Sequence, residues 1–110
     1  MPRAATTSDV FNAVGDASRR TLLDALAIGE ATVGELVERV DLPQPMVSKH
    51  LRVLRDVGLV RCRAHGRHRT YAVDPVGLAP LHAWLQLLTK SINDHYDRLD
   101  TYLDELQHPR

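Results

Sequence analysis

Two short amphipathic helices separated by a three-residue break occupy the middle of the chain. Thr32 is predicted to cap the first of these helices, with Glu35 at the position that completes a capping box. The break is Asp41-Leu42-Pro43, and the second helix is predicted over residues 44–57. Its inward face carries Val47, Leu51 and Leu54. Two short helices joined by so tight a break predict a helix-turn-helix.

Two further helices are predicted before this pair. The first lies around residues 9–14 and ends at Gly15. Asp16 is expected to cap the second, and Gly29 to close it. The apolar stripe of this second helix contains Leu22, Leu23 and Leu26. The N-terminal half of the chain is therefore predicted to be helical.

After Gly58 the pattern changes to the alternation of a half-buried β-hairpin. Strands are predicted over residues 59–64 and 68–73, with a turn at residues 65–67. On the first strand the residues alternate in character, with Val60, Cys62 and Ala64 on one side and Arg61 and Arg63 on the other. The predicted fold is mainly α with a two-stranded antiparallel wing, a winged helix-turn-helix of about five helices.

A long helix is predicted over about residues 75–107, with Asp74 as its N-cap and Pro75 in its first turn. Apolar residues recur three and four positions apart from Leu78 onward. This stripe is broader than one small domain needs, so we predict a homodimer, although the stripe could instead pack wholly within its own subunit. The predicted interface consists of Leu81, Leu85, Leu88, Ile92, His95, Leu99, Tyr102 and Leu106.

His95 is the one histidine of that stripe. If a twofold axis brings two copies together, protonation below about pH 6.5 would make them repel and weaken the dimer. The alternative is that the ring lies along the edge of the stripe with its polar tip in water.

The 110 residues fit one domain, predicted over residues 8–107, with frayed ends at residues 1–7 and 108–110. Apolar residues make up 44% and charged residues 25%, the balance of a folded chain rather than a disordered one. A single cysteine excludes an intrachain disulfide. Neither a membrane span nor a signal peptide is evident, so a cytosolic protein with no membrane partner is expected.

Positive charge is concentrated in one segment, although the whole chain has a net charge of zero. Residues 43–70 carry seven Lys and Arg against one Asp, a net charge of +6, while residues 1–42 and 71–110 each carry −3. A basic segment between acidic flanks can present a positive face to a polyanion. The alternative is a merely solvated polar face, which does not explain this concentration.

The outer face of the second helix of the pair carries side chains suited to base edges in a major groove. These are Gln44, Pro45, Ser48, Lys49 and Arg52, with Arg55 better placed for the phosphate backbone. The wing adds His65, Arg67, His68 and Arg69. We therefore predict that these ten residues contact double-stranded DNA.

Four segments together resemble the ArsR-type (ArsR/SmtB) winged helix-turn-helix regulators. They are VGDASRR at 14–20, VGEL at 33–36, LPQPMVSKHLRVLRDVGLV at 42–60 and GRHRTY at 66–71. The resemblance implies a homodimeric repressor on an inverted-repeat operator, joined through the first and last helices and released by a signal that no residue here identifies. One position departs from the family pattern: Pro43 replaces the usual Ser or Thr, with loss of a side-chain cap worth about 1 kcal/mol.

Neither of the metal sites that the resemblance would imply is present. The position of the family's Cys-x-Cys pair is held by Thr32-Val33-Gly34. On the last helix the family's two ligand pairs are ten to eleven residues apart and lie on nearly the same face. His82 and His95 are thirteen residues apart, a rotation of about 1,300° that ends roughly 220° past the starting face. Arg98 stands where an acidic ligand would follow. We predict a regulator that needs no metal or other cofactor, with a zinc-responsive repressor as the alternative.

The sequence also bears on two other classes of function. An enzyme is not expected, because the chain has no glycine-rich phosphate loop, nucleophile elbow or paired carboxylates. A protein-interaction module that has lost DNA affinity is the remaining alternative, and the intact basic face counts against it.

Overall fold

The computed structural model describes residues 7–108, and their side chains from residue 10 onward. Of the predicted frayed ends, residues 1–6 and 109–110 lie outside this range, whereas Thr7 is the first residue of a helix. The elements are α1 (Thr7–Val14), α2 (Ala17–Ile28), β1 (Ala31–Thr32), α3 (Val33–Arg39), α4 (Gln44–Asp56), β2 (Val60–His65), β3 (His68–Val73), a 3₁₀ turn (Pro75–Leu78) and α5 (Ala79–Gln107). Residues up to Pro80 form one compact unit, and the rest of α5 from Leu81 forms a second.

Side-chain caps begin α2 and α3 where the sequence predicts them. Asp16 Oδ1 accepts a hydrogen bond of 3.1 Å from the backbone N–H of Arg19. Thr32 and Glu35 form a complete capping box, in which each side chain accepts from the other residue's backbone N–H at 3.2 and 3.0 Å. These caps satisfy N–H groups that have no partner within the helix.

Two arginines of α2 bind the end of α1. Arg19 Nε donates to the carbonyl of Ala13 at 2.7 Å, and Arg20 Nη1 donates to the carbonyl of Val14 at 2.8 Å. Cationic groups are favourable at a helix C-terminus, where carbonyls lack partners and carry partial negative charge. The orientation of α1 is therefore fixed to the start of α2.

The helix α4 begins at Gln44 although its N-cap, Pro43, supplies no side-chain hydrogen bond. The carbonyl of Pro43 instead accepts from the backbone N–H groups of Met46 and Val47, at 3.0 and 3.1 Å. Proline near the first turn is tolerated because it removes an N–H that would have no partner. The helix ends at Asp56, and Gly58 follows with a φ of 83°, a conformation that favours glycine.

The sheet has three strands, one more than the sequence predicts. The order is β1-β3-β2 and both pairs are antiparallel, with Ala31 opposite Tyr71 and His65 opposite His68. Only two residues, Gly66 and Arg67, join β2 to β3, so His65 belongs to the strand and not to the turn. Gly66 has a φ of 61° in the first loop position, as type II′ hairpin turns require.

The core of the first unit is formed by residues from all its main elements. The buried apolar residues are Val10, Ala13, Leu22, Leu26, Ala31, Leu36, Val40, Val47, Leu51, Leu54, Leu59 and Val60. His50 is buried among them, with 9% of its surface exposed, and its Nδ1 has no hydrogen-bond partner within the described residues. His50 is thus a core residue of α4 and not part of its polar face.

The hairpin is less buried than its alternation predicts. Val60 is buried, but Cys62 is only half-buried and Ala64 is exposed. The apolar side of β2 is therefore covered fully only at its first residue. The strands extend past the core towards the turn, so their outer halves are exposed on both faces.

The last helix begins later than predicted, because the predicted range 75–107 divides into the 3₁₀ turn and α5. Asp74 caps the turn, its carboxylate accepting from the N–H of Val76 at 3.1 Å. No side chain of α5 is buried within the described residues. Over residues 7–108, no helix combines the length and the apolar character needed to cross a bilayer.

Candidate nucleic-acid interface

The predicted DNA-contacting residues of α4 lie on its exposed face. Val47, Leu51 and Leu54 face the core, so the helix presents the opposite side to solvent. That exposed side carries Gln44, Pro45, Ser48, Lys49, Arg52 and Arg55. The structure therefore brings together all six residues that the sequence predicts on this helix.

The hairpin residues are divided between its two faces. Residues directly opposite each other in an antiparallel pair share a face, and Tyr71 lies opposite Cys62 while Arg69 lies opposite Ala64. The pair formed by His65 and His68 projects from the other face. Arg67 is exposed in the turn. The structure therefore separates the two wing histidines from Arg69, although all four wing residues are exposed.

A surface cleft of about 280 Å³ lies between α4 and β3. It is lined by Ser48, Arg52 and Arg55 of the helix and by Arg69 and Tyr71 of the strand. Helix and hairpin thus form one continuous basic surface. Three guanidinium groups and two hydroxyl groups, all able to donate hydrogen bonds, converge on this cleft.

Tyr71 is the one residue of this cleft that sequence reasoning did not select. Burial raises the pKa of the Tyr71 hydroxyl, and the adjacent Cys62 thiol raises it further, against the opposite effect of Arg55 and Arg69. The hydroxyl therefore keeps its proton at neutral pH and remains a hydrogen-bond donor. Tyr71 follows Arg69 by two residues on the same strand, and alternate residues of a strand share a face. That spacing could have identified Tyr71 from the sequence.

The opposite face of the hairpin contains an arginine whose charge is already matched. Arg63 Nη2 lies 2.9 Å from Glu30 Oε1, and both side chains are more than half exposed. By contrast, within the described residues no carboxylate lies within ion-pair distance of Arg52, Arg55 or Arg69. The three arginines that line the cleft therefore carry charge that no carboxylate of the described residues offsets.

Two histidines of α5, His82 and His95, are of a residue type that can bind metal. His82 and His95 are both exposed, and the ring of His95 contacts that of Tyr96 edge to face, with centroids 6.0 Å apart. In the part of the chain that the structure describes, no three His, Cys, Asp or Glu side chains are grouped so as to hold a metal ion.

Comparison with known proteins identifies the family. Residues 16–61 match the family described as bacterial regulatory protein, arsR family. The HTH-type transcriptional regulator Rv2034 of Mycobacterium tuberculosis is 35% identical over 96 residues, which cover 86% of this chain and 90% of that protein. The transcriptional repressor SdpR of Bacillus subtilis is 30% identical over 88 residues, covering 79% and 98%.

A solved structure agrees in fold. The solution structure of the homodimeric winged helix-turn-helix DNA-binding domain of Mb0332 from Mycobacterium bovis superposes with a TM-score of 0.62 at 28% identity, covering 76% of this chain and 77% of that one. The predicted winged helix-turn-helix fold is confirmed, as is the prediction of a regulator instead of an enzyme. The chain belongs to the ArsR family of bacterial regulatory proteins.

Proposed function

We propose that this protein is a homodimeric transcriptional repressor that binds an inverted-repeat DNA operator through α4 and the hairpin β2–β3. The observation that carries the proposal is the exposed basic face of α4, which continues through the cleft onto Arg69 of β3. Asp56, at the last position of α4, is the one acidic side chain of that helix. An α-helix has the width of a major groove, and paired arginines suit guanine edges and phosphates.

The residues of this surface have different proposed roles. Gln44, Ser48 and Lys49 lie on the first two turns of α4, where a recognition helix contacts base edges, and Pro45 lies beside them. Arg52 lies one turn further along the same face, where it lines the cleft beside Arg55. Arg55, Arg67 and Arg69 are proposed to contact phosphates or an adjacent groove. His65 and His68, on the other face of the hairpin, would reach DNA only where the wing lies along the duplex.

The second copy is proposed to cover the apolar face of α5. Leu85, Leu88, Ile92, Leu99, Tyr102 and Leu106 are each at least 41% exposed in the single chain, and Leu81 is half-buried. Exposed apolar stripes of this length mark interaction surfaces. The homodimeric domain of similar fold from Mycobacterium bovis supports a dimer, and the resemblance adds α1 to the interface. His95 is proposed to lie in the same interface.

Repression without metal is the form of regulation proposed. The similar SdpR is a transcriptional repressor, which supports repression over activation. Metal independence rests on the absence from the sequence of the family's thiol pair at Thr32-Val33-Gly34 and of an acidic residue at Arg98. Equilibrium dialysis against zinc tests this part, and binding of one zinc per subunit would contradict it.

Footprinting of the purified protein on the DNA upstream of its own gene tests the proposal as a whole. We expect protection of two inverted half-sites whose centres lie about one helical turn, or a multiple of it, apart. Charge-reversal of Lys49 should abolish the footprint, whereas reversal of Arg39, an exposed residue of α3 paired with Glu35, should leave it. Absence of any protected duplex at low salt would overturn the proposed function.

A further inference from the structure

We propose that the cleft between α4 and β3 binds one phosphate group of the DNA backbone, held jointly by the arginines of both elements and by the hydroxyl of Tyr71. This inference deepens the proposed function and rests on it. It assigns a binding role to Tyr71. At the cleft, α4 and the hairpin would contact the same phosphate of one DNA strand.

The composition of the cleft suits an oxyanion. Arg52 and Arg55 come from one element and Arg69 from another, and no acidic residue lines the space between them. Like charges around a small cleft repel each other, and an anion inside it removes that repulsion. Guanidinium groups present several donors in a planar fork that matches phosphate oxygens.

The size of the cleft suits a single group and not a larger ligand. Its volume of about 280 Å³ is just below the range for small-molecule pockets, which is roughly 300 to 1,000 Å³. Each of its five lining side chains ends in a group that can donate a hydrogen bond. The cleft also continues directly from the exposed face of α4, where a phosphate would flank a groove occupied by Ser48 and its neighbours.

Tyr71 completes the donor set from the strand side. It is half-buried, and it lies between β1 and β2, opposite Ala31 and Cys62. Its hydroxyl, like that of an ordinary tyrosine, is protonated at neutral pH and can donate.

The hairpin also supplies a matched control. Arg63 lies on β2, opposite Thr70, and its charge is offset by Glu30 at 2.9 Å. Removing Arg63 or Arg69 changes the net charge equally, but only Arg69 lines the cleft. A difference between the two variants therefore reports on the cleft and not on total charge.

The test measures affinity for a short mixed-sequence duplex over a range of salt, because phosphate contacts are independent of base sequence. We expect Arg69→Gln to reduce the slope of log affinity against log salt concentration by about 0.9 for each cleft in contact with DNA. For one cleft, the loss of affinity relative to the wild type should therefore become about threefold smaller between ~50 and ~200 mM salt. Arg63→Gln should retain most of the wild-type slope. Tyr71→Phe should weaken binding about tenfold at every salt concentration, because it removes a donor to a charged group without changing charge.

Three results would overturn the proposal in distinguishable ways. If the wild type binds duplex but Arg69→Gln and Tyr71→Phe both behave like Arg63→Gln, the cleft holds no phosphate and the proposed function stands. If the wild type binds no duplex, yet inorganic phosphate raises its melting temperature more than chloride does and fails to do so in Arg69→Gln, the cleft is a site for free phosphate. If neither occurs, both proposals fail. Circular dichroism of each variant establishes that it is folded.

Discussion

Gly77 lies directly against the backbone of Gly58, where a Cβ atom on Gly77 would overlap with the carbonyl oxygen of Gly58. The same Cβ would lie 3.1 Å from the Cα of Leu59, which is buried. The 3₁₀ turn therefore crosses the end of α4 at a distance that only a residue without a side chain permits. This contact positions the turn that leads into α5.

Gly77→Ala is accordingly expected to lower the free energy of unfolding by about 1 to 3 kcal/mol, because the overlapping atoms belong to backbone and cannot rotate away. Urea denaturation measures the effect. Gly34→Ala is the matched control: the nearest atom to its added Cβ is Thr32 Oγ1 at 3.9 Å, and alanine is favoured in helices. Equal stability of the two variants would contradict the close approach.

The capping box predicts a dependence of stability on acid. The backbone N–H of Thr32, its hydroxyl and the charge of Arg39 hold the pKa of Glu35 below its usual value. A carboxyl with a lowered pKa in the folded state stabilises the fold above its ordinary pKa of about 4, and that contribution is lost as pH falls through the folded value. The melting temperature should therefore fall as the pH is lowered from about 6 to about 3.

Glu35→Gln isolates that contribution, because glutamine preserves the capping box but does not titrate. Its melting temperature should fall less steeply in acid than that of the wild type. Thr32→Ala, which removes the cap, should cost about 1 kcal/mol at neutral pH. Parallel acid curves for the wild type and Glu35→Gln would show that Glu35 contributes nothing to the pH dependence.

Local signals predicted α2, α3 and α4 correctly, whereas contacts between distant residues were not predictable. Asp16, Thr32 and Gly29 act within one turn of their own helices, so their roles can be predicted from the local sequence. Strand β1 has two residues and exists because it pairs with Thr70 and Tyr71, far along the chain. The contact of Gly77 with Gly58 is of the same long-range kind.

The candidate site was predictable in its helix and less so in its hairpin. The spacing of Val47, Leu51 and Leu54 defines the exposed face of α4, and it also places His50 on the buried side, a signal that the residue's polarity obscured. On the hairpin, the prediction selected arginines and histidines because of their charge. Tyr71 was missed because its place depends on which face of β3 adjoins α4.

Base-contacting and phosphate-contacting residues should respond differently to substitution. Lys49→Ala is expected to cost about 1 to 3 kcal/mol of operator binding and to relax preference at one base pair, since Lys49 lies on the exposed face of α4. Arg67→Ala, at the tip of the wing, should weaken binding to operator and random duplex by the same factor. Competition binding with single-base operator variants measures both. A uniform loss in Lys49→Ala would assign that residue to the backbone instead.

A charge in the apolar face of α5 should separate the proposed dimer. Leu88 is 41% exposed in the single chain, and in a dimer interface Leu88→Glu would bury an unpaired carboxylate on each side. Analytical ultracentrifugation should show a monomer. Gln86→Glu adds the same charge to an exposed position of the same helix outside the stripe and should remain dimeric. Dimers in both variants would exclude this face.

The uncovered length of α5 gives the proposed assembly a dependence on dilution. When a partner binds only the folded chain, mass action adds to its stability, and the melting temperature rises with protein concentration. Occupancy of an operator would then depend on the amount of protein twice, through the number of molecules and through the share of them that is paired. Where most of the chain is unpaired and the operator is only partly occupied, halving the supply of the chain would therefore lower occupancy by more than half.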